Sequence, residues 1–432
     1  MVSAATPLAR AEFKRLVNQF IMPLVAGTRL AGCAGTCPVF TEADRPSSLR
    51  LTLGPGAKGA PSLLLSRPQF FSPEEVGLVN SILAKWAEAF GAYGLDASYR
   101  NAIAARCKLV AIAEFVDPGC SALLLDILET MVDWAGQSYE GRRIAFSVGV
   151  DAAEGFGKSP ASFREAVLGD YLKVMTNAHD TLLVCEPRGG IVRHESLAEQ
   201  DSDGQCGDGD DAGNLYAPIM YAPIARWAAG KRYAAVLNPE GEILLFRDGS
   251  LIFAHRRGKW LFFTHAAYVA GIAGKGVHMR TAEALYQTML DVSFARTGAC
   301  LGLWRGERHR ESQVIAHADR LDTPGYPGLS HKNRFLRRVI DGRPFQDLHR
   351  KLRLELASID GATVMLADGE LLAVGAILKI DGGSAGGGRA AAAMELAKRG
   401  VGAKVSNDGE IGYWTAGRMR QKGLPPPTYA IG

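Results

Sequence analysis

The stretch "SIDGATVMLADGELLAVGAILKIDGGSAGGGRAAAAMELAKRG", residues 358–400, combines local patterns that predict how the last part of the chain folds. Asp-Gly dipeptides at 360–361 and 368–369 stand on either side of the apolar run "ATVML", and "LLAVGAIL" follows the second dipeptide. Apolar runs separated by an Asp-Gly turn predict a β-hairpin. The glycines that come next lead into an alanine-rich helix that ends at Gly400.

The junction between the glycine-rich loop and this helix is a candidate anion-binding site. The first N–H groups of a helix have no partner within it, the helix dipole is positive there, and glycine lets a phosphate approach the backbone. Arg389 adds one positive charge at the junction. A last hairpin, "AKVSNDGEIGYW", turns at 407–409, and we expect it to place Ser406 near the same edge of the sheet.

Composition bounds the class of protein and its location. The chain has 432 residues, of which 47% are hydrophobic and 22% charged, as in globular proteins of two or three domains. A net charge of +4 spread over scattered basic residues gives no indication of a nucleic-acid partner. The apolar runs are shorter than the roughly 20 residues of a spanning helix, so no membrane partner is expected. Seven cysteines and no secretion signal predict a cytoplasmic protein.

An acidic, glycine-rich segment at 195–214 divides the chain into predicted domains. It has almost no large apolar side chains, which predicts a flexible surface loop. Calcium binding by its aspartates is an alternative, although their spacing matches no EF-hand loop. We predict an N-terminal α/β region of unassigned role over 1–194, a β-meander extension over 215–280, and a nucleotide-binding domain over 281–432.

Hydrophobic periodicity predicts a mixed α/β (α+β) fold, with a central mixed β-sheet flanked by helices and a further α/β region at the N-terminus. The clearest helix begins at Ser72, where Ser72 and Glu75 form a capping box. Other predicted elements are a helix over 121–135, a strand over 142–150, one helix over 159–180, a hairpin turning at 189–190, four meander strands over 232–264, a helix over 281–296 and a strand over 299–304. Cys33 and Cys37 form a close pair without a nearby histidine, so a zinc site is not favoured.

The motifs of the C-terminal third resemble a known family. "RTGACLGLW", "LELASIDGATVMLADGELLAVGA", the Gly-rich loop with its Arg, and "GAKVSNDGEI" together resemble the diadenylate cyclase domain of the DNA-integrity scanning protein over about residues 285–415. The resemblance implies that an Asp-Gly-Ala motif holds the nucleotide and a metal. It also implies that an Arg-His-Arg motif, preceded by a hydroxyl residue, binds phosphates, and that a Ser-Glu-Glu segment completes the site.

Only the first of these motifs is intact. Asp360, Gly361 and Ala362 match Asp-Gly-Ala, whereas Arg389 alone remains of the Arg-His-Arg motif. Gly386 stands in the place of the hydroxyl residue, and Gly387 and Gly388 stand in the places of the first arginine and the histidine. The segment that corresponds to Ser-Glu-Glu reads Ser406, Asn407 and Asp408. A literal "RHR" at 308–310 precedes the Asp-Gly-Ala turn and does not align with the motif.

These losses predict binding without catalysis. Nucleotidyl transfer depends on positioning and on neutralising charge in the transition state, so removal of an arginine and a histidine removes much of that stabilisation. Backbone N–H groups can still hold a ground-state phosphate. The resemblance therefore implies a degenerate, sensor-type member that binds an adenine nucleotide or cyclic dinucleotide in bacterial signalling or conflict, as a homo-oligomer. The alternatives are an active diadenylate cyclase or other nucleotidyltransferase using ATP with Mg²⁺ or Mn²⁺ at Asp360, and a purely structural domain.

Overall fold

The chain divides into two units of structure. The structure, a computed structural model, describes residues 8–31, 47–53, 61–67, 69–93, 97–154, 161–197, 215–274, 276–305, 313–321, 330–380, 387–415 and 429–431. The first unit comprises Met1–Asp208 and Tyr221–Thr264, and the second comprises Gly209–Met220 and His265–Gly432. The predicted acidic loop lies mostly outside the described residues.

In the described residues, the first unit contains helices and three sheets, of three, seven and two strands. Its helices are α1 (Arg10–Leu16, continued by a π-helical turn Val17–Ile21), α2 (Pro73–Tyr93), α3 (Ala97–Val116), α4 (Ser121–Trp134), α5 (Phe163–Ala166), a 3-10 helix (Asp170–Val174) and α6 (Ala222–Trp227). Its strands are β1 (Arg29–Ala31), β2 (Ser48–Thr52), β3 (Ser62–Ser66), β4 (Ser138–Tyr139), β5 (Arg142–Arg143), β6 (Phe146–Asp151), β7 (Thr181–Cys185), β8 (Ile191–Ser196), β9 (Arg232–Leu237), β10 (Ile243–Arg247), β11 (Ser250–Arg256) and β12 (Lys259–Phe262).

The meander strands continue the sheet of the N-terminal region. The larger sheet has the order β12-β11-β10-β9-β6-β7-β8, in which β9 pairs antiparallel with β6 and β6 pairs parallel with β7. The sequence-based division treated 215–280 as a separate extension. The two segments share a sheet because β6 and β9 are almost wholly buried, and each needs hydrogen-bonded neighbours on both sides.

Local sequence signals predict some helices of this unit correctly and one wrongly. The predicted capping box begins α2, since Ser72 N–H donates to Glu75 and Glu75 N–H donates to Ser72 Oγ over 3.1 Å. The single helix predicted over 159–180 is wrong: only α5 and the 3-10 helix form there. Gly169 is extended and separates them, because glycine pays a high entropic cost in a helix and the Tyr171 ring lies 2.4 Å from where its Cβ would be.

The second unit is built around one mixed sheet. Its helices are α7 (His265–Ala273), α8 (Met279–Ala295), a 3-10 helix (His317–Asp319), α9 (His331–Ile340), a 3-10 helix (Phe345–Asp347), α10 (Arg350–Ser358) and α11 (Gly388–Ala397). Its strands are β13 (Ala299–Trp304), β14 (Ala362–Leu366), β15 (Leu371–Ala376), β16 (Gly400–Val405), β17 (Ile411–Thr415) and β18 (Tyr429–Ile431). The sheet order is β15-β14-β13-β16-β17-β18, and only the pair β13 and β14 is parallel in these strands.

The predicted mixed α/β fold class is confirmed by this arrangement of helices and mixed sheets. The predicted hairpins also form, as β14 with β15 and β16 with β17. Within the described ranges, the helices include none with the length and apolar character needed to cross a membrane.

Small residues let α11 lie directly on the sheet. A Cβ on Gly402 would stand 1.7 Å from the Ala393 carbonyl oxygen, and one on Gly302 would stand 2.6 Å from Leu396 Cδ1. The alanines of the helix contribute from the other side of this contact, because their short side chains allow the helix axis to approach β13 and β16. The glycine and alanine content of this region therefore serves packing as well as any binding function.

Within the second unit, a buried ion pair fastens residues 215–219 to α8 and α10. Arg350 Nε and Nη2 donate to the Asp291 carboxylate, each over 2.8 Å, and Asp291 also accepts the Ile219 N–H over 2.8 Å. The same guanidinium donates to the carbonyls of Leu215 and Ala217. Because the Asp291 side chain is 0% exposed, its charge needs donors within the protein, and Arg350 and the Ile219 N–H supply them.

Replacing Asp291 with alanine is expected to lower the free energy of unfolding by about 3–5 kcal/mol, because Arg350 would stay buried without its partner. Urea denaturation followed by circular dichroism measures the change. Asp347→Ala is the control: Asp347 pairs with Arg280 at the surface of the same unit, with side chains 42% and 73% exposed, and its loss should cost less than about 1 kcal/mol. Equal effects of the two changes would contradict the assignment.

The first unit buries a lysine without a compensating carboxylate among the described residues. Lys108 is 6% exposed, and its ammonium lies 5.0 Å from the centre of the Phe20 ring. Burial lowers the pKa of Lys108 from 10.5 to about 8. Burial, with Lys108 as a neighbouring charge, also lowers the pKa of His255 to about 4. The charge of Lys108 thus disfavours the protonated form of His255.

We expect Lys108→Met to stabilise the first unit at pH 7. The folded-state pKa of Lys108 lies below its unfolded value, so protonation costs stability as pH falls from 10.5 to about 8, and the loss is constant at lower pH. That interval corresponds to about 3 kcal/mol, less about 1 kcal/mol for the lost contact with the Phe20 ring. The net gain of about 2 kcal/mol should disappear above pH ~10.5.

Thermal and urea unfolding of both proteins between pH 7 and pH ~10.5 checks this. Lys14→Met, at an exposed position of α1, is the control and should change stability by less than about 0.5 kcal/mol. A destabilised Lys108→Met protein at pH 7 would show instead that the ammonium has a stabilising partner.

Candidate functional site

Strand register gathers the predicted site residues at one edge of the second unit's sheet. Cys300 of β13 is level with Ala362 of β14, which runs parallel to it, and Ala299 is level with Val405 of antiparallel β16. The start of β13, the start of β14 and the end of β16 therefore lie side by side. The outer two of these three strands are about 10 Å apart, as two strand spacings require.

The intact Asp-Gly-Ala motif forms the turn before β14. Gly361 has φ +107°, and a Cβ there would lie 2.5 Å from the carbonyl carbon of Gly375. Gly375 has φ +60°, and a Cβ there would lie 2.9 Å from the Asp360 carbonyl oxygen. The turn thus packs backbone to backbone against the end of β15. Asp360 is exposed and Ala362 is buried at the first position of the strand.

The two parallel strands stay together beyond their ends. Ser358 Oγ donates to Thr297 Oγ1 over 2.8 Å, so the segments before β13 and β14 are in contact. Asp360 and Gly298 each stand two residues before a register pair of these strands. The carboxylate of Asp360 therefore belongs to the same edge as the residues that contact Gly298.

The helix that follows the glycine-rich loop begins at this edge. Gly387 is its N-cap, with φ +83°, and Gly388 is its first residue. Both glycines are exposed, and a Cβ at either would meet no atom within 4 Å among the described residues. Gly386 lies outside the described residues. The first turn of α11 is thus exposed at these two residues, and the helix dipole favours an anion there.

Arg389 is held beside this N-terminus by Asn407. Arg389 Nη1 donates to Asn407 Oδ1 over 2.5 Å. Gly298 provides the space for the contact, since a Cβ there would lie 2.2 Å from Asn407 Oδ1 and 2.5 Å from Arg389 Nη1. Burial raises the pKa of the nearby Cys300 thiol to about 12, against the opposing effect of Arg389. The Cys300 thiol, at the start of β13, is therefore protonated at pH 7.

The turn after β16 is fastened to α8. Gly409 N–H donates to the Ser406 carbonyl over 2.8 Å, and Ser293 Oγ donates to the Gly409 carbonyl over 2.5 Å. Arg296, in the left-handed conformation at the end of α8, donates to the Asp408 carbonyl. Asn407 and Asp408 are exposed at this turn, and Ser406 is half-buried.

Two residues of this edge escaped the sequence analysis. Arg296 is a second arginine beside the turn, and its signal in the sequence is its place at the start of the quoted motif "RTGACLGLW", three residues before β13. Ile377 directly follows β15 and is 80% exposed, an unusual environment for a large apolar side chain. Its hydrophobic surroundings in sequence gave no indication of exposure.

The remaining candidates are those outside the described residues and those proposed to bind a metal. The literal "RHR" at 308–310, the cysteines at 33 and 37, and the aspartates of the acidic loop lie outside the described residues. No group of three or more His, Cys, Asp or Glu side chains that could hold a metal occurs among the residues described. Asp360 is one carboxylate, which is a donor set that fits Mg²⁺ when nucleotide phosphates supply other ligands.

The chain matches no protein-family model and no curated protein. Among solved structures it is similar to a double cysteine mutant of DacA from Staphylococcus aureus, with 13% identity and a TM-score of 0.22 over 32% of this chain and 83% of that one. It is also similar to a hypothetical membrane spanning protein from Bacillus cereus, with 15% identity and a TM-score of 0.22 over 32% of this chain and 70% of that one.

Gly298→Ala is expected to displace the Arg389–Asn407 contact and to lower the free energy of unfolding. The left-handed backbone alone costs about 1 kcal/mol, and the overlap with both side chains adds about 1–2 kcal/mol. Gly276→Ala is a matched control, because Gly276 has φ +81° and no atom within 4 Å of its Cβ position among the described residues. Urea denaturation of the two variants separates the cost of the left-handed backbone from the cost of the overlap. Equal losses of unfolding free energy in both variants would contradict the close contact of Gly298 with Arg389 and Asn407.

Proposed function

We propose that the second unit binds the phosphates of an adenine nucleotide or a cyclic dinucleotide at the N-terminus of α11 and does not cyclise it. The observation that carries the proposal is the guanidinium of Arg389, held by Asn407 beside a helix N-terminus where a Cβ on Gly388 would meet no atom within 4 Å among the described residues. The remaining N–H groups of Arg389 have no partner among the described residues. Such donors form the strong, charge-assisted hydrogen bonds that phosphates accept.

The neighbouring residues support a nucleotide over a simple anion. Asp360 offers a carboxylate that could share a divalent cation, Mg²⁺ or Mn²⁺, with a phosphate chain. Ile377 offers an exposed apolar surface next to the same turn, of the kind that a base covers. The adenine preference itself rests on the family that the sequence motifs resemble.

The absence of turnover follows from the positions where glycine replaces charged side chains. Gly387 and Gly388 stand where the resemblance implies an arginine and a histidine, so neither position carries a cation. Backbone donors bind the ground state, while the departing pyrophosphate would need further positive charge. We therefore favour a sensor in bacterial signalling or conflict, located in the cytoplasm and assembled as a homo-oligomer.

An active nucleotidyltransferase is the second candidate, and Arg296 is the observation that favours it. Its guanidinium lies at the Asp408 turn, so a basic residue from outside the Asp-Gly-Ala, Arg-His-Arg and Ser-Glu-Glu positions stands at the same edge of the sheet as Asp360 and Arg389. Incubation with ATP and Mn²⁺, followed by mass spectrometry for cyclic diadenylate, separates the two functions. If cyclic diadenylate forms with the unaltered protein but not with Asp360→Ala, the protein is a nucleotidyltransferase and the sensor proposal is wrong.

Arg389→Ala is expected to weaken binding of ATP or cyclic diadenylate by about 1.5–3 kcal/mol, which is roughly tenfold to a hundredfold in the dissociation constant, because a charge-assisted contact is lost. Isothermal titration calorimetry measures it. Arg280→Ala removes the same charge from an exposed side chain of α8 and should leave affinity unchanged.

Gly388→Val tests the space above the helix. Because the position is open, the variant should keep its thermal stability while a phosphate can no longer approach the backbone. Undiminished affinity in both Arg389→Ala and Gly388→Val would refute the proposed site.

A further inference from the structure

The exposed face of α9 combines basic side chains with an aromatic ring. His331, Arg334, Phe335 and Arg338 follow one another at spacings of three and four residues, which places them on one side of a helix. All four are exposed, and Phe335 is 65% exposed. The opposite side of α9 is buried, through Asn333, Leu336 and Ile340. The ring is therefore presented outward while the helix is anchored by its other face.

Positive charge is concentrated in this segment. Residues 331–343 carry five cationic side chains and one carboxylate, that of Asp341, for a net charge of +4, which equals that of the entire chain. The five are Lys332, Arg334, Arg337, Arg338 and Arg343. The rest of the chain is thus neutral overall, and the basic character of the protein lies here.

The structure divides these cations into two groups. Lys332 Nζ donates to the Gly375 carbonyl over 2.7 Å, Arg337 donates to the Leu321 carbonyl, and Arg343 donates to the last carbonyls of α9. These three secure the helix. Arg334 contacts the His331 ring over 2.9 Å on the exposed face. Neither Arg334 nor Arg338 has a carboxylate partner among the residues that the structure describes.

The geometry of the exposed group favours one kind of partner. Arg334 and Arg338 stand one helical turn apart, about 6 Å along the axis, with Phe335 beside them. Single-stranded nucleic acid alternates phosphates with flat bases that stack on aromatic rings, so it complements both features. An acidic peptide would leave the ring without a matching surface. A membrane would gain little, because the apolar side of α9 is already buried and one ring is the whole apolar contribution of the exposed face.

We propose that the exposed face of α9 binds single-stranded nucleic acid, with Phe335 stacking on a base and with Arg334 and Arg338 contacting phosphates on either side of it. This second site is the exposed face of α9 and not the N-terminus of α11. It takes any sequence, because stacking and phosphate contacts do not read base edges.

Fluorescence anisotropy with a labelled 20-nucleotide oligothymidylate and the full chain tests the proposal. Arg334→Ala/Arg338→Ala should weaken binding at least tenfold and lower the slope of log affinity against log salt by about 1.4, the value for two contacts to a single strand. Phe335→Ala should weaken binding about tenfold, and Phe335→Trp should restore or tighten it, since a larger ring stacks better.

Arg10→Ala/Lys14→Ala is the matched control, because it removes two exposed cations at the same spacing on α1. It should leave affinity within about twofold. Absence of binding at 50 mM salt, an equal loss in this control, or a Phe335→Ala protein of unchanged affinity would overturn the proposal. A loss in Arg389→Ala with no loss in the α9 variants would assign the oligonucleotide to the glycine-rich loop instead. Binding only to vesicles containing phosphatidylserine would assign a membrane.

Discussion

The pairing of β13 with parallel β14 on one side and antiparallel β16 on the other is the constraint on which the candidate site depends. Parallel neighbours cannot be joined by a tight turn, so the chain between them must cross over, and α9 and α10 occupy that connection. The crossover returns the chain to the edge at which β13 began. Residues that are more than sixty positions apart in sequence thereby share one end of a sheet.

Glycine has two distinct functions in this unit, and the space around each residue separates them. Gly298, Gly361, Gly375 and Gly402 stand where a Cβ would overlap a neighbouring atom, so their role is close packing of backbone and of the Arg389–Asn407 pair. Gly387 and Gly388 have open space above them in the described structure. A glycine-rich sequence near a helix is therefore a candidate for ligand binding only at the second kind of position.

Net charge likewise conceals a local arrangement. A value of +4 over the chain indicates no partner, yet the same value is reached within residues 331–343 alone. Helical periodicity then turns Arg334 and Arg338 outward together with Phe335, while Lys332 and Arg337 bind backbone carbonyls. A docking face differs from a solvated charged face in having cations that are not already bound to the protein. Only the folded chain shows which cations these are.

The sequence by itself determined the local elements of the site. The Asp-Gly turns, the hairpins that they begin, the capping box of α2 and the start of α11 all follow from short-range backbone preferences, which act within a few residues. For the same reason the sequence misjudged 159–180, where helical periodicity masked the extended Gly169.

What only the tertiary structure decided is which distant segments share an edge or a sheet. The meeting of Arg389 with Asn407, the presence of Arg296 and the exposure of Ile377 all depend on strand order and register. The same holds for the union of the meander with the N-terminal strands. Each buried strand must form backbone hydrogen bonds with neighbouring strands, and its partners are selected from all the strands of the chain. A local sequence pattern therefore does not specify which strand pairs with which.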